Sequence, residues 1–223
     1  MAREITIALV GNPNAGKTTI FNNLTGSHQY VGNWPGVTVE KKEGRLDYQG
    51  YRIRVVDLPG VYSLTAYSLD EVIARNFVVE EKPDLVVNIV DASNLERNLY
   101  LTVQLLEMGA RVVIALNMMD QAESKGHVID VVHLSQLLGV PVVPMAANRN
   151  RGTQELLMEI VRAVEKEVET KPLSMRYGRE IEEEIAALEG LISQTELSQK
   201  YSPRWLAVKL LEEDEEIIKR FRG

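Results

Sequence analysis

Residues 11–18 read Gly-Asn-Pro-Asn-Ala-Gly-Lys-Thr and follow an apolar, β-branched run at 5–10. This stretch matches the phosphate-binding pattern G-x-x-x-x-G-K-[ST], which needs a strand before it and a helix after it. Glycines let backbone N–H groups turn toward phosphates, the helix N-terminus adds a favourable dipole, Lys17 supplies a cation, and the Thr18 hydroxyl can reach Mg²⁺. The alternative is a glycine-rich turn that only shapes the chain. Because a helical pattern continues over 18–24, we favour phosphate binding.

Four further apolar runs, at 53–56, 85–90, 112–116 and 140–143, predict strands covered on both faces. Helical spacing lies between them, with one helix after a predicted capping box of Ser93 and Glu96 and another over 156–168. A hairpin is predicted from 37–47 and 51–56 around Gln49-Gly50. The pattern indicates an α/β fold whose mixed, mostly parallel sheet is flanked by helices.

The C-terminal part differs in composition. Residues 1–165 hold 34 charged residues, whereas 166–223 hold 23 without a strand pattern. Apolar residues at 177, 181, 185, 188 and 192 are helically spaced, and Ser202-Pro203 suits a helix N-cap and first position. We therefore predict two domains, 1–168 and a small all-α domain at 172–223, joined through Lys171-Pro172.

Composition excludes several classes of protein. The 223 residues include no Cys, which removes disulfide scaffolds, thiolate metal sites and cysteine nucleophiles and fits a reducing compartment. Lys and Arg total 25 against 32 Asp and Glu, the wrong balance for a nucleic acid binder. The apolar runs are far shorter than a membrane helix, and no signal-peptide pattern is present, so we expect the chain alone to be soluble. His28, His127 and His133 lack metal-ligand spacing.

Two more motifs end predicted strands. Asp57-Leu58-Pro59-Gly60 places a carboxylate that can hold Mg²⁺ through water and a backbone N–H that can reach a γ-phosphate; an ordinary turn is the alternative. Asn117-Met118-Met119-Asp120 places a carboxylate that can accept from guanine N1 and its exocyclic amine, a donor pair that adenine lacks. The alternative is a capping Asp. Together the motifs favour a guanine nucleotide.

These segments resemble the G1, G3 and G4 motifs of Era-like P-loop GTPases, with Thr38 at the G2 threonine of switch I. The runs 31–44, 67–71 and 74–77 closely resemble the ferrous iron transport protein B family (FeoB). In that family a cytosolic GTPase domain and a helical domain, which modulates GDP affinity, precede a membrane domain that carries Fe²⁺. The resemblance implies a cytoplasmic part of a cell inner-membrane protein, with the membrane-embedded transport domain of the same full-length protein as partner. A homo-oligomer is possible, and no nucleic acid is expected.

The resemblance also implies roles for single residues. GTP or GDP with Mg²⁺ is expected, with Thr18, Thr38 and Asp57 around the metal and with Lys17, Thr38, Gly60 and Asn14 acting in hydrolysis. Asn14 is expected to bind a stimulating K⁺; its alternative is an Asx turn that stabilises the loop. The predicted nucleotide-contacting residues are Asn12, Pro13, Asn14, Ala15, Gly16, Lys17, Thr18, Thr19, Asp57, Gly60, Asn117, Met118, Asp120, Ala146, Ala147 and Asn148.

The sequence departs from common GTPase motifs at three places. Val61 stands where many GTPases have a glutamine that orients water, so hydrolysis must depend on backbone positioning and positive charge. Met118 replaces a lysine, which predicts weaker base contact and fast exchange. Ala146 replaces a serine, although the Ala147 N–H can still donate to guanine O6. Trp34 lies in a segment at 27–39 that we expect to be mobile and is interpreted as a reporter of switch state; the alternative is a hydrophobic anchor.

Four functions compete at this point. The first is a slow, K⁺-aided GTP hydrolase that regulates Fe²⁺ uptake, and the second is a switch module in which occupancy is the output and hydrolysis only a reset. The third is an Era-like ribosome or RNA assembly factor, which the 10 basic and 13 acidic residues of 166–223 disfavour. An ATP-dependent kinase is weakest, because it gives Asp120 no purpose.

Overall fold

The computed structural model describes residues 3–165 and 176–222, and its centre is one seven-stranded mixed sheet. The strand order is β2-β3-β4-β1-β5-β6-β7; the β2–β3 and β3–β4 pairs are antiparallel, and all other neighbouring pairs are parallel. The strands are β1 Arg3–Gly11, β2 Gln29–Asn33, β3 Glu40–Tyr48, β4 Tyr51–Asp57, β5 Leu85–Asp91, β6 Val112–Asn117 and β7 Val142–Pro144. The predicted mixed, mostly parallel α/β fold is confirmed.

The predicted hairpin is β3–β4. Tyr48 lies opposite Tyr51, and the two residues between them, Gln49 and Gly50, both have positive φ (47° and 82°). A two-residue turn of this kind matches the right-handed twist of the strands. The first hairpin strand begins at 40 and not at 37. The sequence analysis missed β2, because its polar and exposed residues carry no alternating apolar pattern.

Helices cover both faces of the sheet. The helices are α1 Lys17–Thr25, α2 Leu69–Asn76, α3 Leu95–Glu107, α4 Met119–Ser124, α5 Val131–Leu138, α6 Thr153–Glu165, α7 Arg179–Ile192, α8 Pro203–Leu211 and α9 Glu215–Arg222. Buried side chains of α1 and α6 pack on one face of the sheet, and those of α2, α3 and α4 pack on the other. The β-branched strand runs are thus buried on both sides, as their composition predicts.

The predicted capping box at Ser93 and Glu96 is wrong. A short 3-10 turn, Ala92–Asn94, precedes α3, and the side chain of Asp91 caps it by accepting from the Ser93 N–H (2.8 Å). Asp91 takes the capping position because, as the last residue of β5, it directly precedes the turn. A capping box does form at α2, where Ser68 and Glu71 exchange side-chain and backbone hydrogen bonds.

A C-terminal helical region of α7, α8 and α9 is present as predicted. Ser202 caps α8 by accepting from the Trp205 N–H, and Pro203 is its first residue. Ile185 and Ile192 of the predicted stripe are buried, whereas Ile181 is 47% exposed. The predicted boundaries at 168 and 172 lie outside the described residues. Across 3–165 and 176–222, none of the helices combines the length and apolar character that crossing a membrane requires.

A buried ion pair connects this helical region to the sheet domain. The Arg75 guanidinium at the end of α2 donates to Asp214 (2.6 Å), and both side chains are at most 5% exposed. Asp214 also accepts from the N–H groups of Glu216 and Ile217 at the start of α9. Arg220 of α9 reaches Glu80, just beyond α2, at 2.7 Å. The segment after Asp57 is therefore fixed to the last helix by charge.

Candidate nucleotide-binding site

The loop at 11–16, which we call the phosphate loop after its sequence motif, connects β1 to α1, as the motif requires. Gly16 has φ +91°, and a Cβ on it would lie 2.2 Å from the Asn117 amide nitrogen, so only glycine fits. Asn14 also has positive φ (67°) and is exposed. Pro13 lies close to Gly60, where an added Cβ would be 3.4 Å from the Pro13 Cα. Lys17, Thr18 and Thr19 form the first turn of α1, so its free N–H groups point to the loop.

Lys17 contacts Asp57 directly. Its ammonium forms a short ion pair with the Asp57 carboxylate at the end of β4. Burial raises the pKa of the Asp57 carboxyl above its ordinary value, and the Lys17 ammonium opposes that change. The Lys17–Asp57 ion pair therefore joins the motif at 11–18 to the motif at 57–60.

Asn117 joins the phosphate loop to the loop after β7. Its side-chain nitrogen donates to the Ala15 carbonyl (2.9 Å), and its side-chain oxygen accepts from the Ala147 N–H (3.0 Å). Asn23 of α1 donates to the Ala147 carbonyl (2.9 Å), which fixes the same loop from a second side. We call residues 145–151 the β7–α6 loop. Contact of guanine O6 with the Ala147 N–H would require that donor to be shared with Asn117.

Asp120 is the second residue of α4, and Met118, the residue that precedes this helix, has φ +61°. One Asp120 carboxylate oxygen is 3.3 Å from the Arg149 guanidinium nitrogen and 3.5 Å from the Asn148 amide. The other oxygen is buried without a partner among the described residues. Such a carboxylate is held in place on one side and has an acceptor left over on the other.

Thr38 is not brought to the other predicted residues. It lies in the loop between β2 and β3, is exposed, and makes no hydrogen bond with the phosphate loop in the described part of the chain. Trp34 in the same loop is not a free reporter: it is 8% exposed and packs edge-on against Phe77 at 5.6 Å. Lys41 lies 4.7 Å from the Trp34 ring centre. We call residues 27–39 the Thr38 segment, and Trp34 is its anchor.

Buried polar atoms without partners test whether a nucleotide fits. Both side-chain atoms of Asn12 and one oxygen of Asp120 are buried and unpartnered among the described residues. Such atoms cost free energy unless a ligand or water satisfies them. A cluster of three or more His, Asp and Glu suited to a metal is absent from the described ranges. The unpartnered atoms of Asn12 and Asp120 thus fit a ligand with hydrogen-bonding groups of its own, as a nucleotide has.

Sequence reasoning missed two contributors to this region. Arg149 had no signal, because its partner Asp120 is 29 positions earlier in the chain. The Asn117 motif was singled out for the base, but its two bonds to backbone groups at 15 and 147 depend on tertiary contact. The order of strands that places β6 next to β7 was needed to see them.

Comparison with known proteins identifies the family. Residues 5–160 match the family model described as "Ferrous iron transport protein B", and residues 177–223 match the one described as "FeoB cytosolic helical domain". The Fe(2+) transporter FeoB of Methanocaldococcus jannaschii is 55% identical over 220 residues, which is 97% of this chain. The chain spans only 32% of that relative's length.

Solved structures agree. The cytosolic domain of the T. maritima FeoB iron transporter in GDP form II has a TM-score of 0.94 and 41% identity, covering 98% of this chain and 85% of that one. The same protein in GMPPNP form has a TM-score of 0.92 and 42% identity, covering 97% and 84%. With 156 of its 223 residues matched by the first family model and a second model matching its end, the chain belongs to the ferrous iron transport protein B family.

Proposed function

We propose that this chain binds GTP and hydrolyses it slowly, with K⁺ stimulation, as the regulatory domain of a membrane Fe²⁺ transporter. The observation that carries the proposal is the Asn117 side chain, which ties the phosphate loop at Ala15 to the β7–α6 loop at Ala147. Asp120, three positions after Asn117 in the first turn of α4, has a buried oxygen without a partner among the described residues, which supports a role in binding the base. Relatives captured in GDP and GMPPNP forms support the same ligand class.

The base specificity follows from Asp120. A carboxylate accepts hydrogen bonds only, so it pairs with the N1–H and exocyclic amine of guanine and has no matching donor pair on adenine. Arg149 and Asn148 hold one oxygen, and guanine would satisfy the buried one. Ala146, Ala147 and Met118 would then border the ring. A purine that leaves this oxygen unpaired loses about 1–3 kcal/mol.

The phosphates would replace Asp57 as the partner of Lys17. The backbone of residues 12–16 and the first turn of α1 would take the phosphate oxygens, and Thr19 and Gly60 would border them. The residues that would hold Mg²⁺ are Thr18, Thr38 and Asp57, and the metal would neutralise charge that develops on the phosphate oxygens. Thr38 is exposed in this structure, so its segment must move to reach that position.

K⁺ stimulation is proposed through Asn14. Its side chain is exposed and makes no hydrogen bond with the described residues, so an Asx turn does not account for it. Its amide oxygen can bind a monovalent cation next to the β- and γ-phosphates, where positive charge stabilises the transition state. Val61, the residue after Gly60, is 3% exposed and apolar, so it cannot orient water. The bound K⁺ would add positive charge at the phosphates, in place of a water-orienting side chain at position 61.

The role in transport is also proposed. The chain covers about a third of the M. jannaschii transporter, which leaves room for a membrane-embedded domain in the full-length protein. We infer that the chain described here lies on the cytoplasmic side of the membrane. We also infer that movement of the Thr38 segment and of the residues after Asp57 passes through α2 to Asp214 and the helical region. The predicted division into domains 1–168 and 172–223 is retained in this proposal.

Steady-state phosphate release from Mg·GTP and Mg·ATP, in matched KCl and NaCl, tests the activity. We expect turnover with GTP only, faster in KCl, with that gain lost in Asn14→Ala. Asn94→Ala is the matched control, because Asn94 is an exposed asparagine outside the predicted nucleotide-binding motifs. Equal GTP turnover in both salts would refute the cation role alone, and comparable ATP turnover would refute the guanine assignment.

A second experiment separates hydrolysis from occupancy as the useful output. In the full-length transporter, Thr38→Ala is expected to reduce turnover while nucleotide still binds through Asn117 and Asp120. If Fe²⁺ uptake falls with turnover, hydrolysis is the output. If uptake persists while GTP remains bound, the domain acts as an occupancy switch.

A further inference from the structure

The two edges of the sheet are protected differently. The β7 edge has three residues, ends at Pro144 and follows Pro141, and proline cannot donate to an added strand. The β2 edge has five residues, Gln29–Asn33, with neither proline nor charge. Tyr30 and Val31 are 71% and 54% exposed there. Proteins usually protect the free edge of a sheet, because its unpaired N–H and C=O groups can bind another strand. The unprotected β2 edge is therefore a candidate for pairing with a partner strand.

The backbone groups that face outward from β2 can be identified. The Arg45 N–H donates to the His28 carbonyl, and the Trp34 N–H donates to the Val39 carbonyl. Bonded residues alternate along an antiparallel pair, so even-numbered residues of β2 bond inward to β3. The N–H and C=O groups of Gln29, Val31 and Asn33 therefore point to the open edge.

We propose that β2 pairs antiparallel with β2 of a second copy of this chain, about a two-fold axis at Val31. Val31 then lies opposite Val31 of the second copy, and Gln29 lies opposite Asn33 of the second copy. Every outward backbone group finds a partner in this register, which gives about six hydrogen bonds at two for each facing pair. A shift by one residue would present inward-bonded groups and lose them.

The side chains of β2 suit this register. A two-fold axis places a residue beside its own copy, where a charge would repel itself, and Val31 is uncharged. The Gln29 amide nitrogen already donates to Asn22, Thr25 and Gly26 of its own chain, so its oxygen is the group left to accept from the Asn33 amide of the second copy. Tyr30 already covers Gly32 in its own chain, since a Cβ on Gly32 would lie 3.1 Å from the Tyr30 ring. Across the axis Tyr30 lies opposite Gly32 of the second copy, so the Tyr30 rings of the two copies would lie side by side, each over its own glycine.

Charge behind the edge is balanced as well. Lys41 pairs with Glu43 at 2.7 Å and Lys42 with Glu40 at 2.8 Å on the neighbouring strand β3. Two copies would thus meet without an uncompensated field of one sign. Because β2 lies within the Thr38 segment, the pairing would respond to the bound nucleotide, and this last clause alone rests on the proposed function.

Cysteine cross-linking tests the register, since the chain has no Cys of its own. Facing residues of a bonded pair have Cα atoms about 5.5 Å apart, within disulfide range. Under mild oxidation Val31→Cys should form disulfide dimers, as should Gln29→Cys mixed with affinity-tagged Asn33→Cys. Gln29→Cys alone should not, because its copies lie about 14 Å apart along the strands. Val132→Cys, on exposed α5, is the control.

Sedimentation of the nucleotide-free chain over a concentration series tests the association itself. Val31→Lys should raise the dimer dissociation constant by about tenfold or more through like charges at the axis, whereas Val132→Lys should leave it unchanged. The proposal is wrong if Val31→Cys cross-links no faster than Val132→Cys, or if Gln29→Cys alone matches the mixture. If the edge instead takes an extended strand of a different protein, this chain would remain monomeric in both assays, and the proposal would be wrong. Phosphate release, measured separately, shows whether the nucleotide proposal stands.

Discussion

The β7–α6 loop and the Thr38 segment are both proposed to contact the nucleotide, yet the chain holds them by opposite means. The buried amide of Asn117 and the half-buried amide of Asn23 bind the backbone of Ala147 from two sides. The Thr38 segment has an open strand edge, and one aromatic ring, Trp34 on Phe77, seats its loop. Polar bonds fix geometry closely, whereas a ring in an apolar pocket can be withdrawn and replaced. If both loops contact the nucleotide as proposed, the loop at the base is held rigidly and the segment at the phosphates is free to move.

Trp34→Ala would break the moving side of this comparison and should have the largest effect. Removing a buried tryptophan ring costs about 3 kcal/mol. Hydrogen exchange over 27–39 should accelerate, while exchange in the β7–α6 loop stays unchanged. Trp205→Ala, at the other tryptophan of the chain, is the matched control and should accelerate exchange in α7 and α8 instead. Slow exchange over 27–39 in Trp34→Ala would show that the ring is not the anchor.

Asn117→Ala would break the fixed side. It leaves the Ala15 carbonyl and the Ala147 N–H without their partner, which costs about 1–3 kcal/mol for each unsatisfied group. The dissociation constant for GDP, measured by fluorescence titration, should rise about a hundredfold. Asn98→Ala removes another buried asparagine, at 4% exposure, that bonds the backbone of residues 91 and 94. Equal loss of affinity in both variants would mean that Asn117 acts through stability only.

Glu43 sharpens the comparison by pH, because it lies on β3 opposite Tyr30 of the Thr38 segment. Its hydrogen bonds with Arg54 lower the pKa of the Glu43 carboxyl to about 2, with burial opposing and Lys41 assisting. Because the pKa is lower in the folded state than its ordinary value of 4.5, the ionised Glu43 carboxylate stabilises the folded protein above pH 4.5. This stabilisation is lost as the pH falls toward 2.

Glu43→Gln should therefore lower the melting temperature at pH 7 by about 1–3 °C, since a partly exposed ion pair contributes up to about 1 kcal/mol. The difference from wild type should shrink at pH 3. Glu4→Gln, in an ion pair that is 75% exposed on the carboxylate side, should change neither value. A difference that persists unchanged at pH 3 would exclude the ionised carboxylate as its cause.

Local sequence signals predicted the parts of the fold that local physics decides. The apolar runs identified β1, β4, β5 and β6, and Gln49-Gly50 identified the hairpin turn, because these depend on burial and positive φ at fixed positions. The edge strand β2 escaped, since its pairing with β3 is what makes it a strand. Met118, Asp120 and Asn117 were found as motif residues, but Arg149 and the Trp34–Phe77 contact depend on distant chain neighbours. These features depend on contacts between residues far apart in the chain, which the spacing of residues in the sequence does not show.

The Lys17–Asp57 ion pair has a consequence for how a polyanion enters the site. Before entry, the Lys17 ammonium is already matched by the Asp57 carboxylate, so this pair contributes little net charge to attract a polyanion. If nucleotide binds with its metal as proposed, Lys17 exchanges Asp57 for phosphate, and Asp57 exchanges Lys17 for the metal. Neither buried charge is left alone at any stage. Such an exchange of partners should make the association rate only weakly sensitive to ionic strength, in contrast to sites that attract their ligand with unpaired charge.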